Sequence, residues 1–173
     1  MLIKHKLYLL RKNTYKGFSL LEVLITILVV SFGLLGMAAL IVSGARGNNV
    51  AHYRSIAGKQ TEDIADRMRA NLAGVLAGSY DSLSASIPGD IPDCKTATCT
   101  ETQMATFDHA QWNTTNSILL PDGKGTVTGT LATGFEVNMM WTEKEMSSDD
   151  DASSNCPSGT PSKTRCFYTR FTP

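Results

Sequence analysis

Three patterns of apolar and polar positions follow one another along the first half of the chain. The segment before Gly17 carries Lys4, Lys6, Arg11, Lys12 and Lys16 and no acid. From Val23 to Ala45 there are 23 residues without an ionisable side chain, enough for a helix to cross a bilayer core of about 30 Å. Gly33 and Gly36 soften this stretch, each costing about 1 kcal/mol relative to Ala in a water-exposed helix. Beyond Arg46 the pattern turns amphipathic: Tyr53, Ile56, Ala57, Gln60, Ile64, Met68, Leu72, Val75 and Leu76 share one face of a 3.6-residue period. Asp63 and Arg67 stand at i,i+4, and Asp66 and Arg69 at i,i+3, spacings that support a helix. The spacing predicts one helix from Phe18 to about Ala77, ended by Gly78-Ser79.

The second half reads differently. Residues 79–100 are rich in Ser, Pro and Gly and read as a surface loop. Glu101 to about Leu119 reads as a short helix whose face is Met104, Phe107, Ala110 or Gln111, and Ile118, weakened by Thr114-Thr115. Pro121-Asp122-Gly123-Lys124-Gly125 signals a turn. Strands are expected at Thr126–Leu131 and at Phe135–Lys144, where Phe135, Val137, Met139 and Trp141 alternate with Glu136, Asn138, Met140 and Thr142. An acidic, serine-rich loop from Ser147 to Ser162 precedes a last strand, Arg165 to Phe171. A long helix packed on a small antiparallel sheet is an α+β fold. The expected boundaries are 1–17 for a leader, 18–45 for a membrane span, 46–78 for the amphipathic half of the helix and 79–173 for a globular head.

Charge sharpens the picture. The chain has 16 Lys+Arg and 16 Asp+Glu, but without residues 1–17 the cations fall to 11 and the net becomes −5. No basic face suited to nucleic acid is left. The leader's cations favour the cytoplasmic side of a membrane, which places the head in the periplasm. Glu22, at the edge of the span, costs on the order of 3 kcal/mol on insertion scales, so a partner for it is expected. An ordinary secretory signal has an apolar core of about 7–15 residues; this run is longer, although Ser43-Gly44-Ala45 is a passable cleavage site. A plain anchor, with Glu22 at the positive end of the helix dipole, accounts for the charge but not for the Gly-Phe before it.

All four cysteines, Cys94, Cys99, Cys156 and Cys166, lie beyond the span, where disulfides persist. Three pairings are open to them; proximity favours Cys94–Cys99 and Cys156–Cys166. Zinc is the alternative, but C-x4-C and C-x9-C without a nearby His suit it poorly. Asp149-Asp150-Asp151 lacks the ligand spacing, Gly and closing Glu of a calcium loop and reads as a solvated acidic stretch. Asn113-Thr114-Thr115 meets the N-glycosylation pattern, read here as chance on a helix. His52 and His109 are isolated in sequence. Trp112 and Trp141 are either surface aromatics or core, and alternation favours the core for Trp141. Without G-x-S-x-G, H-E-x-x-H or a P-loop, the expectation is a protein that is not an enzyme and uses no metal or cofactor.

Gly17-Phe18-Ser19-Leu20-Leu21-Glu22, between a basic leader and an apolar run, resembles the signal of a type IV prepilin or related pseudopilin. The resemblance implies that a membrane-embedded aspartic peptidase cuts between Gly17 and Phe18 and N-methylates Phe18. It also implies that Glu22 neutralises the terminal amine of a neighbouring subunit. In related filaments part of the stem helix unwinds on assembly, which here points to Gly33–Gly36; the equal alternative is that these small residues let helices pack closely in the membrane. The fold implied is pilin-like, with the long stem helix packed on an antiparallel sheet. Ala65-Asp66-Arg67-Met68-Arg69-Ala70-Asn71, Tyr80, the early cysteine pair, Trp112, Leu120-Pro121-x-Gly123-x-Gly125 and Trp141 resemble the minor-pilin family called type IV pilus modification protein PilV. That likeness implies a minor pilin acting in pilus assembly and initiation, hence in twitching motility. Its implied partners are other major and minor pilins, the prepilin peptidase, the inner-membrane assembly machinery and the lipid bilayer. It would be single-pass in the inner membrane, N-terminus cytoplasmic and head periplasmic, and after assembly in the pilus at the cell surface. A pseudopilin of a type II secretion system shares the same N-terminal physics; an anchored periplasmic binding or adhesion domain that never polymerises is the rival from another class.

Overall fold

The computed structural model describes residues 17–143 and 152–173. Helix α1 runs Leu20–Ala70, 51 residues. It is shared by two units, one ending at Gly44 and one running Ala45–Pro173. In the first unit every large apolar side chain from Phe18 to Val42 is solvent-exposed. The two hydroxyls there turn back on the helix: Thr26 Oγ1 donates to the Val23 carbonyl at 2.8 Å and Ser31 Oγ to the Ile27 carbonyl at 2.7 Å. Satisfying these polar atoms within the helix makes the stretch compatible with a lipid surrounding.

In the second unit the amphipathic half of α1 buries Ala57, Gln60, Thr61, Ile64, Ala65 and Met68, largely the face read from the period. The helix does not continue to Ala77 as expected. It breaks at Asn71, and a separate short helix α2 spans Leu72–Leu76. Asn71 leaves helical geometry, with φ −114° and ψ 56°, and its Oδ1 accepts the Gly74 N–H at 3.2 Å as an N-cap. The break turns Leu72 and Leu76 out to solvent, contrary to their expected place on the buried face. Gly78, at φ 75°, closes α2 with Gly78 N–H on the Val75 carbonyl and Ser79 N–H on the Gly74 carbonyl, a Schellman closure.

Strand β1 is only Ser82–Leu83, inside the stretch expected to be all loop. Helix α3, Glu101–Leu119, has the expected bounds because Thr100 and Gln103 form a reciprocal capping box at its start. Strands β2 (Lys124–Thr130), β3 (Gly134–Thr142) and β4 (Thr164–Phe171) complete an antiparallel sheet in the order β1-β2-β3-β4. Phe135, Val137, Met139 and Trp141 are all buried, as the alternation predicts. Strand β3 ends at Thr142, one residue short of Glu143, which is described but not in a strand; Lys144, the last residue of the expected strand, lies outside the described residues, as does Asp149–Asp151. The core joins Ile64 and Met68 of α1 to Tyr80, Trp112, Leu120, Val127 and the inward residues of β3.

The face of α3 is the main departure. Ile118, expected inward, is 75% exposed, and Met104, Phe107 and Gln111 are half-buried. The buried positions are Ala105, Asp108, His109, Ala110, Trp112, Asn113 and Asn116. Their spacing is helical but their chemistry is mostly polar, because this face serves backbone groups of α1 and the sheet. Trp112 Nε1 donates to the Gln60 carbonyl at 2.8 Å, His109 Nε2 lies 2.7 Å from the Ser84 carbonyl, and Asn113 Nδ2 donates to the carbonyls of Ser84 and Gly125, each at 3.1 Å.

Candidate functional site

The hexapeptide that opens the span lies where a helix begins. Ser19 heads the first turn of α1: its Oγ accepts the Leu21 N–H at 3.3 Å, and its carbonyl accepts Glu22 N–H at 3.0 Å and Val23 N–H at 3.2 Å. Gly17 and Phe18 stand just outside the helix and are exposed, Phe18 at 83%. The peptide bond between them is therefore non-helical and accessible. Glu22 sits in the first turn, where the positive end of the helix dipole favours a carboxylate. Among the described residues no cation pairs with it.

Among the described residues, Gly17 answers to nothing within the fold. A Cβ placed on it meets no atom within 4 Å, and its φ lies outside the left-handed range that favours glycine. The same vacancy surrounds Gly33 and Gly36, and α1 runs unbroken through both in the single chain.

In the head, the block from Ala65 to Asn71 meets a polar cluster that the periodicity did not reveal. Arg67 Nη1 donates to Asp108 Oδ1 at 3.2 Å and to Gln111 Oε1 at 3.1 Å, while Arg67 Nε donates to Asp63 Oδ2 at 3.0 Å. Tyr80, fully buried, donates its phenol proton to Asp108 Oδ2 at 2.6 Å. Asn71 Nδ2 donates to the Tyr80 oxygen at 3.1 Å and to the Glu101 carbonyl at 2.8 Å. Burial, followed by the hydrogen bond to Asp108, pushes the Tyr80 phenol well above its ordinary range. The cluster fastens α1, the segment after α2, and α3 to one another. Asp108 was invisible as a partner because an acid on a helix normally reads as its wet face.

Cys94 is joined to Cys99, with Cα atoms 5.4 Å apart, and Cys156 to Cys166, at 5.1 Å. The second bridge ties the loop before β4 to that strand. On the sheet's outer face a groove of about 640 Å³ runs past Thr126, Asn138, Tyr168 and Arg170. There Glu136, held below the usual carboxylate range by Asn138 and then Arg170, pairs with Arg170 at 2.8 Å. No group of three or more His, Cys, Asp or Glu suited to a metal occurs among the described residues.

Against known families, residues 12–38 match the prokaryotic N-terminal methylation motif. The match covers the end of the basic segment, the Gly17–Glu22 hexapeptide and the first part of the apolar helix, and does not reach the head. No curated protein and no solved structure matches the chain. The motif supports a type IV pilin or pseudopilin subunit and suggests a structural part, and a signal of this kind implies processing by a prepilin peptidase. With α1 long and apolar enough to cross a membrane, it supports anchoring in the inner membrane.

Proposed function

We propose that this pilin-type chain is a minor pilin of a type IV pilus, of the PilV type, acting in assembly and initiation of the filament. In this reading residues 1–17 are removed between Gly17 and Phe18, Phe18 becomes the N-methylated first residue, and residues 18–45 serve first as membrane anchor and then as filament core. Glu22 neutralises the amino terminus of a neighbouring subunit. Residues 46–78 form the base on which the head, 79–173, is built, with its two disulfides formed in the oxidising periplasm.

The observation that carries the reading is the coincidence of motif and structure at one place. The matched segment sets an accessible Gly17-Phe18 bond four residues ahead of a carboxylate in the first turn of an apolar helix. A carboxylate there is poorly accommodated by lipid, and a terminal ammonium from another subunit is the partner that the cut itself creates. The resemblance of the A-D-R-M-R-A-N block to the PilV family is what favours a pilus over a type II secretion pseudopilin in this reading. Deleting the gene and scoring twitching motility against exoprotein secretion tests the assignment. Loss of twitching with secretion intact is expected; lost secretion with normal twitching transfers the chain to the secretion system.

A further inference from the structure

The two faces of the sheet differ in chemistry. Val127, Val137, Met139 and Trp141 point inward and join Ile64 and Met68 of α1 in the core. Successive side chains of a strand point to opposite faces, so the alternate residues stand on the outer face, turned away from α1. The register sets them in two rungs. Thr126, Asn138 and Tyr168 lie opposite one another across β2, β3 and β4, and Thr128, Glu136 and Arg170 do the same. These rungs floor the groove of about 640 Å³. One wall is residues 154–157, fastened to β4 by the Cys156–Cys166 bridge; the other is residues 82–84, at the opposite edge of the sheet.

The polar groups of the floor are held in place by one another. Asn138, only 6% exposed, donates Nδ2 to Glu136 Oε1 at 3.1 Å. Glu136 Oε2 accepts Arg170 Nε at 2.9 Å and Nη2 at 2.8 Å. A guanidinium carries five N–H donors, so Arg170 keeps others for a ligand, and its side chain is 78% exposed. Tyr168 adds a half-exposed aromatic ring. Among the described lining residues the only charges are Glu136 and Arg170, which neutralise each other, so the groove selects neither a polyanion nor a cation. Its hydroxyls and amides are too polar for an alkyl chain. A single carboxylate also falls short of the pair that glycoside hydrolysis uses, which leaves recognition without cleavage.

We propose that this groove binds an uncharged oligosaccharide, with the C–H face of one sugar ring on Tyr168 and the hydroxyls of that ring and its neighbour on Asn138, Glu136 and Arg170. A sugar hydroxyl both donates and accepts; the carboxylate takes its proton and the guanidinium and amide give theirs. Bonds to ionised groups are the stronger kind, and partners already fixed by each other lose little freedom when the ligand arrives. The site uses the face that α1 leaves open, so it is independent of leader removal and of what the apolar half of α1 packs against.

The test is binding of the full-length protein to an array of neutral, sialylated and sulfated oligosaccharides, followed by titration with the neutral member bound best. The protein is held in phosphatidylcholine nanodiscs, so that no sugar-headed detergent competes. Expected is retention on neutral members. Tyr168→Ala should weaken that binding about tenfold or more, while Tyr168→Phe, which keeps the ring, should bind like wild type. Arg170→Ala should also bind more weakly, and because that side chain is largely exposed it decides the matter if Tyr168→Ala fails to fold. Thr169→Ala, whose side chain points to the other face, is the control and should bind like wild type. Retention on no neutral member, retention on the acidic members alone, or equal binding by wild type and the folded Tyr168→Ala or Arg170→Ala protein overturns the proposal.

Discussion

The side chain of Asn113 bonds both main-chain groups of Gly125: Oδ1 accepts its N–H at 2.7 Å and Nδ2 donates to its carbonyl at 3.1 Å. A residue on a helix thereby replaces a strand. Asn116 Nδ2 donates to Asn113 Oδ1 at 3.2 Å and holds the amide in this orientation. Asn113 is 2% exposed, so the acceptor amide of the Asn-Thr-Thr tripeptide that meets the glycosylation pattern is inaccessible in the folded head.

Asn113→Asp keeps the acceptor and loses the donor, leaving the Gly125 and Ser84 carbonyls facing a carboxylate. Leaving buried groups unsatisfied costs about 1–3 kcal/mol, more for charged ones. Denaturant unfolding of the Asn113→Asp and Asn113→Ala proteins should show midpoints below wild type, with Asp the worse. Equal stability of Asn113→Asp and wild type contradicts the strand-substitute role.

Gly125 is also where the Trp112 ring passes closest to the sheet, and a Cβ there would overlap the ring. Gly125→Ala should displace Trp112 from its 2.8 Å bond to the Gln60 carbonyl. Overpacking of this kind costs about 1–3 kcal/mol. The measurement is tryptophan emission, expected to shift as the indole loses its partner, together with the unfolding midpoint.

Asp108 holds Tyr80 and Arg67 at once. Removing one partner of a buried ion pair costs about 3–5 kcal/mol; Arg67 is partly exposed and keeps Asp63, so about 2 kcal/mol is expected for Asp108→Ala. The pH dependence has a definite sign. A phenol whose folded pKa is raised contributes stability fully present below its unfolded pKa of about 10 and lost as pH rises above it. Wild type should therefore lose stability in alkali more steeply than Tyr80→Phe, as read from unfolding midpoints at increasing pH. Parallel curves for the two proteins contradict the Tyr80–Asp108 assignment.

Much of this was readable in advance, for physical reasons that differ by element. The inward face of β3 and of α1 from Ala57 to Met68 follows the rule that apolar residues recur at the period of the structure that buries them. The same rule misread the inner face of α3, which carries Asp108, His109, Asn113 and Asn116 because its neighbours present backbone groups rather than methyls. Strand β1, two residues long, has no period to read. Asn71 ends a helix through a side-chain cap and contacts with Glu101 and Tyr80, and the last two are distant in sequence. Gly17 is the converse case: a Cβ there touches nothing among the described residues, so only the motif singles it out.

Gly17→Val and Glu22→Ala separate cutting from assembly. Because Gly17 has no role in the fold, Gly17→Val should fold normally and accumulate uncut in the inner membrane. Glu22→Ala should be cut and inserted normally yet be depleted from sheared filaments, since it removes the carboxylate that the proposed function pairs with a neighbour's amine. Immunoblots of membrane and sheared fractions report both. Normal amounts of Glu22→Ala protein in the filament fraction would show that apolar packing suffices.

The central claim is that this chain is a processed, filament-type subunit, and intact mass of the native protein recovered from membranes and sheared filaments tests it most directly. The account predicts one species beginning at Phe18, heavier by one methyl group, and lighter by four hydrogens for the two disulfides. A native protein retaining residues 1–17, or cut after Ala45 instead, would contradict it.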